Sequence, residues 1–255
     1  MPDTVPLQWM GPTGPQFDVF DNYPGFDKSR GFLEQIVINL GAKSIADVGG
    51  GANPRLDEQF IRENGIDYSL LDISQEELDK APKSYRKFKV DLTAAQKEFT
   101  ACVGEERFDL VFSHFFLEHV PDALQVHRNI CSSLRRGGVA VHFFPSPRCL
   151  PLFINSVLPE SITRVMLRVA QPDRDLDGNQ GKFPAYYNMC KGPSKAMTAA
   201  LNEIGYDVIR HAGFVGHNYY ARVPGLRQVE HALRPVFVKW RIPLTSFVLL
   251  VLRKR

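Results

Sequence analysis

The segment with the clearest chemical potential is a glycine-rich turn after an apolar strand. The strand reads SIADVG and leads into Gly49, Gly50 and Gly51, with Asp47 two residues before the first glycine. Glycines lack a Cβ atom, so the turn can adopt positive φ and approach a ligand closely, while the amides of a following helix face an anionic group. We expect Pro54 at the first position of that helix. The turn therefore predicts a site for a nucleoside or a carboxylate.

A second acidic residue supports a nucleoside site. Asp72 ends the next apolar run, DYSLLD, 21 residues after Gly51. A carboxylate accepts two hydrogen bonds side by side, which suits the two hydroxyls of a ribose. A nicotinamide dinucleotide also fits an acid at this spacing, although its G-x-G-x-x-G pattern needs a glycine where Pro54 stands. A tight structural turn, a dinucleotide site and another nucleoside site are the three alternatives at this point.

Short apolar runs alternate with helix-sized intervals, which predicts βαβ units and a parallel sheet. Ser74 and Glu77 form a capping box for one of the intervening helices, and Gly41 ends the helix that begins near Lys28. The expected strands cover residues 44–49, 67–72, 87–92, 108–113, 139–144, 206–215 and 244–252, with later helices at 194–204 and 224–240.

The composition is that of one globular α/β domain over residues 1–255, with 44% hydrophobic and 23% charged residues. We expect residues 1–27, which contain five prolines, to be an irregular arm. Residues 145–193 interrupt the strand rhythm with further prolines, and we interpret them as a lid-like insertion.

Charge and cysteine usage bear on partners and compartment. The net charge is only +3, yet Lys191 to Arg255 carry eleven Lys and Arg against three Asp and Glu. Four cysteines without a C-x-x-C pair, and no secretory signal ahead of them, favour reduced thiols in the cytoplasm. No apolar run approaches the length that crosses a membrane.

The ordered segments DVGGGAN, LLDIS, KVDL, FDLVFSHFFLEHVPD and LRRGG resemble class I S-adenosylmethionine-dependent methyltransferases. The resemblance is to the small-molecule branch that includes ubiquinone and menaquinone biosynthesis enzymes; it covers residues 28–144 well and the remainder loosely. It implies an α/β fold with a Rossmann-like, seven-stranded, mostly parallel sheet of order 3-2-1-4-5-7-6. The seventh strand is antiparallel, and the insertion follows strand 5. It also implies S-adenosylmethionine as the cofactor.

The resemblance assigns the cofactor contacts position by position. Asp72 would bind both ribose hydroxyls, Ile73 would lie on the adenine, and Asp91 with Leu92 would stand at its edge. The glycine turn would lie beside the methionine part, and the residues that end the fourth strand would close over the sulfonium. Asn53 stands where many members have glycine. The matching positions are Asp47, Gly49, Gly50, Gly51, Asp72, Ile73, Asp91, Leu92, Ser113 and His114.

Histidines near the carboxyl ends of strands are the candidates for catalysis. Methyl transfer to a hydroxyl benefits from a base, and an imidazole that titrates near neutrality suits that role. We take His142 as the first candidate and His114 as the second. His217 lies at a similar place on the sixth strand. The tyrosines of FPAYY and of Tyr219-Tyr220 are candidates for acceptor-pocket walls or ordinary core residues.

Two motifs resemble metal sites, and we expect a metal at neither. Glu118-His119 resembles the end of an E-x-x-E-H site, but Phe115 replaces the first carboxylate. The segment DRDLDG at residues 173–178 opens like a calcium loop, but Pro184 stands at its twelfth position instead of a bidentate glutamate.

The sequence thus predicts a cytoplasmic methyltransferase that acts on a small-molecule, sugar or glycolipid acceptor, at oxygen. The alternative is a non-catalytic regulatory or scaffold protein that binds S-adenosylmethionine. SHFF after the fourth strand lacks the N/D-P-P-Y/F motif for nucleic-acid bases, so we expect no nucleic-acid partner. The insertion and the basic tail predict an acceptor site for amphiphilic or phosphorylated groups, with either a buried lid or a peripheral membrane contact.

Overall fold

Buried apolar runs separated by short helices produce one sheet of eight strands in the computed structural model, which describes residues 16–21, 25–148, 184–192, 194–216 and 226–255. The strands are β1 Gln16–Phe20, β2 Ser44–Val48, β3 Asp67–Asp72, β4 Arg86–Lys89, β5 Phe108–His114, β6 Leu134–Pro145, β7 Tyr206–Phe214 and β8 Phe247–Lys254. The helices are α1 Gly25–Leu40, α2 Glu58–Glu63, α3 Gln75–Lys80, α4 Gln96–Val103, α5 Ala123–Ser133, α6 Lys195–Ile204 and α7 Leu226–Lys239, with a 3₁₀ turn at Leu117–His119.

The sheet has eight strands in the order β1-β7-β8-β6-β5-β2-β3-β4, so the expected seven-strand order is not that of the complete sheet. The additional strand is β1, which pairs in parallel with β7 at the edge. The seven strands after β1, numbered by themselves, run 3-2-1-4-5-7-6, and the last of them, β8, is antiparallel to both of its neighbours.

The strand β1 corrects the expectation that residues 1–27 are an irregular arm. Phe20 stacks on Phe214 with ring centroids 5.7 Å apart. The carboxylate of Asp18 forms an ion pair with the guanidinium of Arg210, with 2.7 Å between Oδ2 and Nη2. The prolines of this segment all lie outside β1, which explains how a short strand forms within a proline-rich stretch.

Helix starts are set by local capping. The Ser74 hydroxyl accepts a hydrogen bond from the Glu77 amide at 3.2 Å, which confirms the amide-capping half of the predicted box. The expected role of Pro54 is wrong, because α2 begins four residues later, at Glu58, behind an Asp57 cap. The residues between the glycine turn and α2 therefore form a longer loop than the sequence indicates.

Two clusters of buried side chains cover the two faces of the sheet. Because side chains alternate along a strand, Ile45 of β2 packs into one cluster while Ala46 and Val48 pack into the other. The helix α1 contributes Phe32 and Ile36 to the first cluster. Both faces of β2 are therefore fixed, and so is the position of the turn that follows it.

The expected insertion falls largely outside the described residues, since 149–183 are not among them. The segment that follows it packs onto the 3₁₀ turn: the amides of Tyr186 and Tyr187 donate to the Glu118 carbonyl at 2.7 and 3.2 Å. Among the residues that the structure does describe, no helix combines the length and the hydropathy that crossing a bilayer requires.

Two histidines lie fully inside the fold. The rings of His127, on α5, and His142, on β6, meet edge to face with centroids 5.1 Å apart. Neither nitrogen of His127 has a hydrogen-bond partner. Burial lowers the pKa of His127 to about 4, and burial together with His127 lowers the pKa of His142 well below its usual range. Both rings are therefore neutral at physiological pH.

We expect His127→Leu to make the protein more resistant to acid. The unfolded chain gains a proton on His127 below pH 6.5, whereas the folded chain resists protonation down to about pH 4. Between pH 7.5 and about pH 5, the free energy of unfolding of the wild type should thus fall by about 2 kcal/mol more than that of the variant. Urea denaturation at both pH values measures it, with the exposed His231→Leu as the matched control. Equal losses in both variants would contradict this account.

Candidate functional site

The carboxyl ends of β2, β3 and β5 meet at one edge of the sheet, because β2 pairs in parallel with both of the others. Their last residues are Val48, Asp72 and His114. In parallel sheets this edge holds the loops that bind ligands. The residues predicted for the cofactor lie at this edge, on the strand ends or in the loops that follow them.

The glycine turn is shaped by close approaches that a side chain would block. Gly49 has φ +71°, and a Cβ atom there would lie 2.5 Å from Cδ2 of Phe116. A Cβ atom on Gly50 would lie 2.6 Å from the carboxylate of Asp47, and one on Gly51 would lie 3.0 Å from that of Asp72. The three glycines thus let the turn lie between two carboxylates and an aromatic ring.

Asp47 lies beneath the turn and faces the protein interior, with only 1% of its surface exposed. Its Oδ2 accepts hydrogen bonds from the Tyr68 hydroxyl at 2.7 Å and from the Arg55 amide at 3.0 Å. Burial raises its pKa to about 6, although both donors favour the ionised form. The side chain therefore holds the loop in shape, and the predicted place of Asp47 beside the methionine part of the cofactor stays a prediction.

Asp72 and Ile73 present the surface that a nucleoside needs. Asp72 is half-buried, and its Oδ1 accepts the Ser74 amide at 2.9 Å. Burial raises its pKa above the ordinary aspartate value. Ile73, next in the chain, leaves 63% of its side chain exposed, which is unusual for a large apolar residue at the end of a buried strand. A hydrogen-bonding carboxylate and an apolar platform thus stand side by side.

Asp91 and Leu92 divide between the surface and the core. The Val90 amide donates to the carbonyl of Asp72 at 2.8 Å, which brings the exposed Asp91 to the end of β3. The side chain of Leu92 is only 3% exposed, and its carbonyl accepts the side-chain amide of Asn129 at 2.8 Å. The side chain of Leu92 thus packs in the core, and the place of the Asp91-Leu92 pair at the adenine edge stays a prediction.

At the end of β5, the predicted pair also separates. Ser113 is fully buried, and its hydroxyl lies 2.8 Å from Nδ1 of His142. His114 reaches the edge, where Nη2 of Arg55 donates to its Nδ1 at 2.6 Å. Burial, and then the charge of Arg55, lower the pKa of His114 to about 3. The ring is neutral at physiological pH, and since Nδ1 accepts a hydrogen bond, its own proton lies on Nε2.

The structure removes His142 from the position of a general base. Its side chain is fully buried in β6 between Ser113 and His127, although its strand ends at the ligand edge. A base must lie within hydrogen-bond reach of the acceptor, and this imidazole has no path to one. The sequence places the residue near a strand end but does not show that its side chain points under α5.

Beyond β5, Glu118 is a buried carboxyl group. Burial raises its pKa to about 8, so it is largely protonated at neutral pH. Nδ1 of its neighbour His119 donates a hydrogen bond to the carbonyl oxygen of Pro184 at 2.8 Å. Within the described ranges, no three His, Cys, Asp or Glu side chains are placed to share a metal ion. The DRDLDG segment, Tyr219-Tyr220 and His217 lie outside the described residues.

Sequence analysis missed three residues that shape this edge: Arg55, Tyr68 and Phe116. Arg55 joins two strand ends, since its amide binds Asp47 while its guanidinium binds His114. Tyr68 has the type of a buried strand residue, and nothing in its spacing indicates a bond to Asp47. Only the contacts in the folded structure show the roles of these three residues.

We expect Gly49→Ala to destabilise the fold more than Gly41→Ala. Gly41 has φ +61° and open space around a Cβ position, so alanine there costs only the left-handed strain of about 1 to 2 kcal/mol. At Gly49, the clash with Phe116 adds about 1 to 3 kcal/mol. Chemical denaturation of both variants provides the measurement. Losses of equal size would show that Phe116 does not constrain the turn.

Comparisons with known proteins agree with this architecture. A family described as a methyltransferase domain matches residues 46–140. No curated protein matches the sequence. An S-adenosylmethionine-dependent methyltransferase from Mesorhizobium loti is similar in structure, with a TM-score of 0.50 and 19% identity over 90% of this chain and 100% of that one. One from Archaeoglobus fulgidus has a TM-score of 0.52 and 16% identity over 91% and 97%.

A protein from Galdieria sulphuraria described as a sarcosine dimethylglycine methyltransferase has a TM-score of 0.52 and 13% identity, over 89% of this chain and 85% of that one. At these identities the likeness to the solved structures concerns the fold alone. The glycine turn, Asp72 and β5 all lie inside the residues that match the family. Residues 46–140 are thus similar to a methyltransferase domain, and the chain has the fold of solved S-adenosylmethionine-dependent methyltransferases.

Proposed function

We propose that the edge formed by β2, β3 and β5 binds S-adenosylmethionine, and that the enzyme transfers its methyl group to an oxygen of a small-molecule, sugar or glycolipid acceptor. The observation that carries the proposal is the half-buried Asp72 carboxylate beside Gly51, followed directly by the exposed Ile73. One carboxylate fits a ribose diol, and one apolar platform fits a purine.

The residues present fit this cofactor. The backbone at Gly49 and Gly50 is accessible. Only glycine fits these two positions, because a Cβ atom on Gly49 would overlap Phe116 and one on Gly50 would overlap Asp47. The exposed Asp91 stands beside the end of β3, where it can accept from an adenine edge. Asp47, Leu92 and Ser113 support these groups from inside the protein, as positioning residues.

The chemistry resides mainly in the cofactor, whose sulfonium carries a methyl group activated for displacement. The protein must hold the acceptor oxygen in line with that group, and such orientation supplies about 7 to 11 kcal/mol. His114 is the histidine at the edge. With Arg55 on Nδ1 and its own proton on Nε2, it acts as a hydrogen-bond donor that orients a group, and its low pKa makes it a poor base.

The acceptor class is supported by charge and by the chain around the site. The basic tail favours an acceptor with phosphate or another anionic group. We propose a single domain of residues 1–255, and the predicted lid of residues 145–193 lies mostly outside the described residues. The enzyme would work in the cytoplasm, with a peripheral membrane contact where the acceptor is a glycolipid. Transfer of tritiated methyl groups to hydroxylated small molecules, sugars and glycolipids tests these classes directly.

We expect Asp72→Asn to weaken the binding of S-adenosylhomocysteine by about ten- to a hundredfold, because a neutral amide loses the charge-assisted hydrogen bonds to the ribose. Asp79→Asn, an exposed change on α3, should leave the affinity unchanged. Calorimetry on both variants provides the comparison. Tighter binding of NAD than of S-adenosylhomocysteine, or an unaffected Asp72→Asn, would reject the proposed site.

We expect the ring of His114 to stay neutral from pH 8 to about pH 5, with its proton on Nε2. Nitrogen-15 NMR of the histidine rings reports both the tautomer and the titration. Arg55→Met should raise the pKa of His114, because the nearby positive charge is removed while the Arg55 amide still binds Asp47. The exposed Arg62→Met is the control. A His114 that titrates near pH 6.5 in the wild type would contradict this assignment.

A further inference from the structure

The helix α7 carries a row of exposed apolar side chains along one side. They follow one another at intervals of four, three and four residues, which places them within about 60° around the helix axis. Leu244 continues the apolar surface beyond the helix and is 47% exposed. The members of this apolar row are Val229 (56% exposed), Leu233 (43%), Val236 (44%) and Trp240 (70%).

Ion pairs on another side of α7 hold the helix against the protein. Arg234 is only 7% exposed, and its guanidinium pairs with Glu230 at 2.7 Å and with Asp21, after β1, at 3.5 Å. Arg241 pairs with Asp18 of β1 at 3.4 Å. At 100° per residue, Arg234 lies about 130° around the helix from the apolar row. The apolar row is therefore turned away from the surface to which the helix is attached.

The segment that carries the apolar row has a net positive charge. Residues 226–246 contain four Lys and Arg and a single acidic residue, Glu230, which pairs with Arg234. Arg241 pairs with Asp18, the exposed Arg227 lies about 150° around the helix from the row, and the exposed Lys239 lies at its flank, about 90° away. An apolar row with a tryptophan and a flanking lysine is a combination that binds in the headgroup region of anionic bilayers.

The position of α7 relates this surface to the active edge. β7 ends at Phe214 and β8 begins at Phe247, and these two residues pair across the sheet. The connection that contains α7 therefore leaves and re-enters the sheet at its carboxyl edge, where the proposed cofactor site lies. From β7 to β2 there are four strand spacings, or roughly 19 Å along that edge.

We propose that α7 is an interfacial helix, which seats the enzyme on an anionic membrane surface with the apolar row in the bilayer interface. The proposal rests on the proposed function, since it presents the active edge to an acceptor held in the membrane. A second copy of this chain fits the row less well. A twofold interface along the row would place the flanking Lys239 of both copies in one interface, and like charges repel there.

Co-sedimentation of the intact protein with vesicles tests the proposal without any need for turnover. Vesicles of phosphatidylcholine with about 30% phosphatidylglycerol are compared with pure phosphatidylcholine, at about 0.1 M and about 0.5 M salt. The double variant Leu233→Gln/Trp240→Gln removes apolar surface without changing charge. Ile38→Gln, at a 60% exposed position on α1, is the matched control. Binding of S-adenosylhomocysteine by each variant verifies both the fold and the cofactor site.

We expect the wild type and Ile38→Gln to bind the anionic vesicles at low salt, with at least about a tenfold lower partition coefficient for the double variant. High salt should weaken the binding. Absence of binding to anionic vesicles, equal binding to neutral ones, or unchanged binding of the double variant would each overturn the proposal. So would a dimer in light scattering that the double variant dissociates. Failure of the vesicle arm with intact cofactor binding refutes the membrane contact alone, whereas lost cofactor binding in the wild type refutes the proposed function.

Discussion

The ligand edge depends on one buried carboxylate. Asp47 lies beneath the glycine turn and joins three elements: its own strand β2, the Tyr68 hydroxyl on β3 and the Arg55 amide in the loop before α2. A buried carboxylate is tolerable only when it is hydrogen-bonded, so these partners must stay in place whenever it is ionised. Its pKa is raised to about 6 because the hydrogen bonds offset only part of the effect of burial.

From this point the arrangement extends across the edge. The same Arg55 whose amide binds Asp47 reaches His114 at the end of β5 with its side chain. Phe116, two residues after His114, lies against Gly49, so this chain of contacts ends at the glycine turn where it began. Through Tyr68, Asp47 and Arg55, these contacts couple β3, which ends at Asp72, to β5, which ends at His114. A change in the turn would therefore alter the position of His114 without touching it.

The sequence predicts the parallel strands well because their apolar runs are long, buried on both faces and separated by helix signals; β3 is an example, with the same bounds in both. It misses β1, since the flanking prolines outweigh a strand of five residues whose partner, β7, lies at the other end of the chain. It also misplaces the start of α2, because a proline after a glycine turn occurs in loops as well as in first helical turns.

The site is predictable where the residue type alone sets the chemistry, as with the carboxylate of Asp72 and the apolar side chain of Ile73. It is not predictable where orientation decides. His142 and Leu92 each stand near a strand end, yet their side chains point into the core, and a shift of one residue along a strand reverses that direction. Arg55 has no signature, because its role arises from contacts between separate loops.

The pairing of β1 with β7 has a consequence for how the chain matures. Gln16 aligns with Arg210, so β1 waits for a partner that is synthesised almost two hundred residues later. Such distant pairing forms late in folding. Since β1 and the residue after it carry the carboxylates that hold α7, the outward surface of that helix is assembled only after β7 and α7 have both been synthesised. A nascent chain that ends before α7 therefore lacks the finished surface.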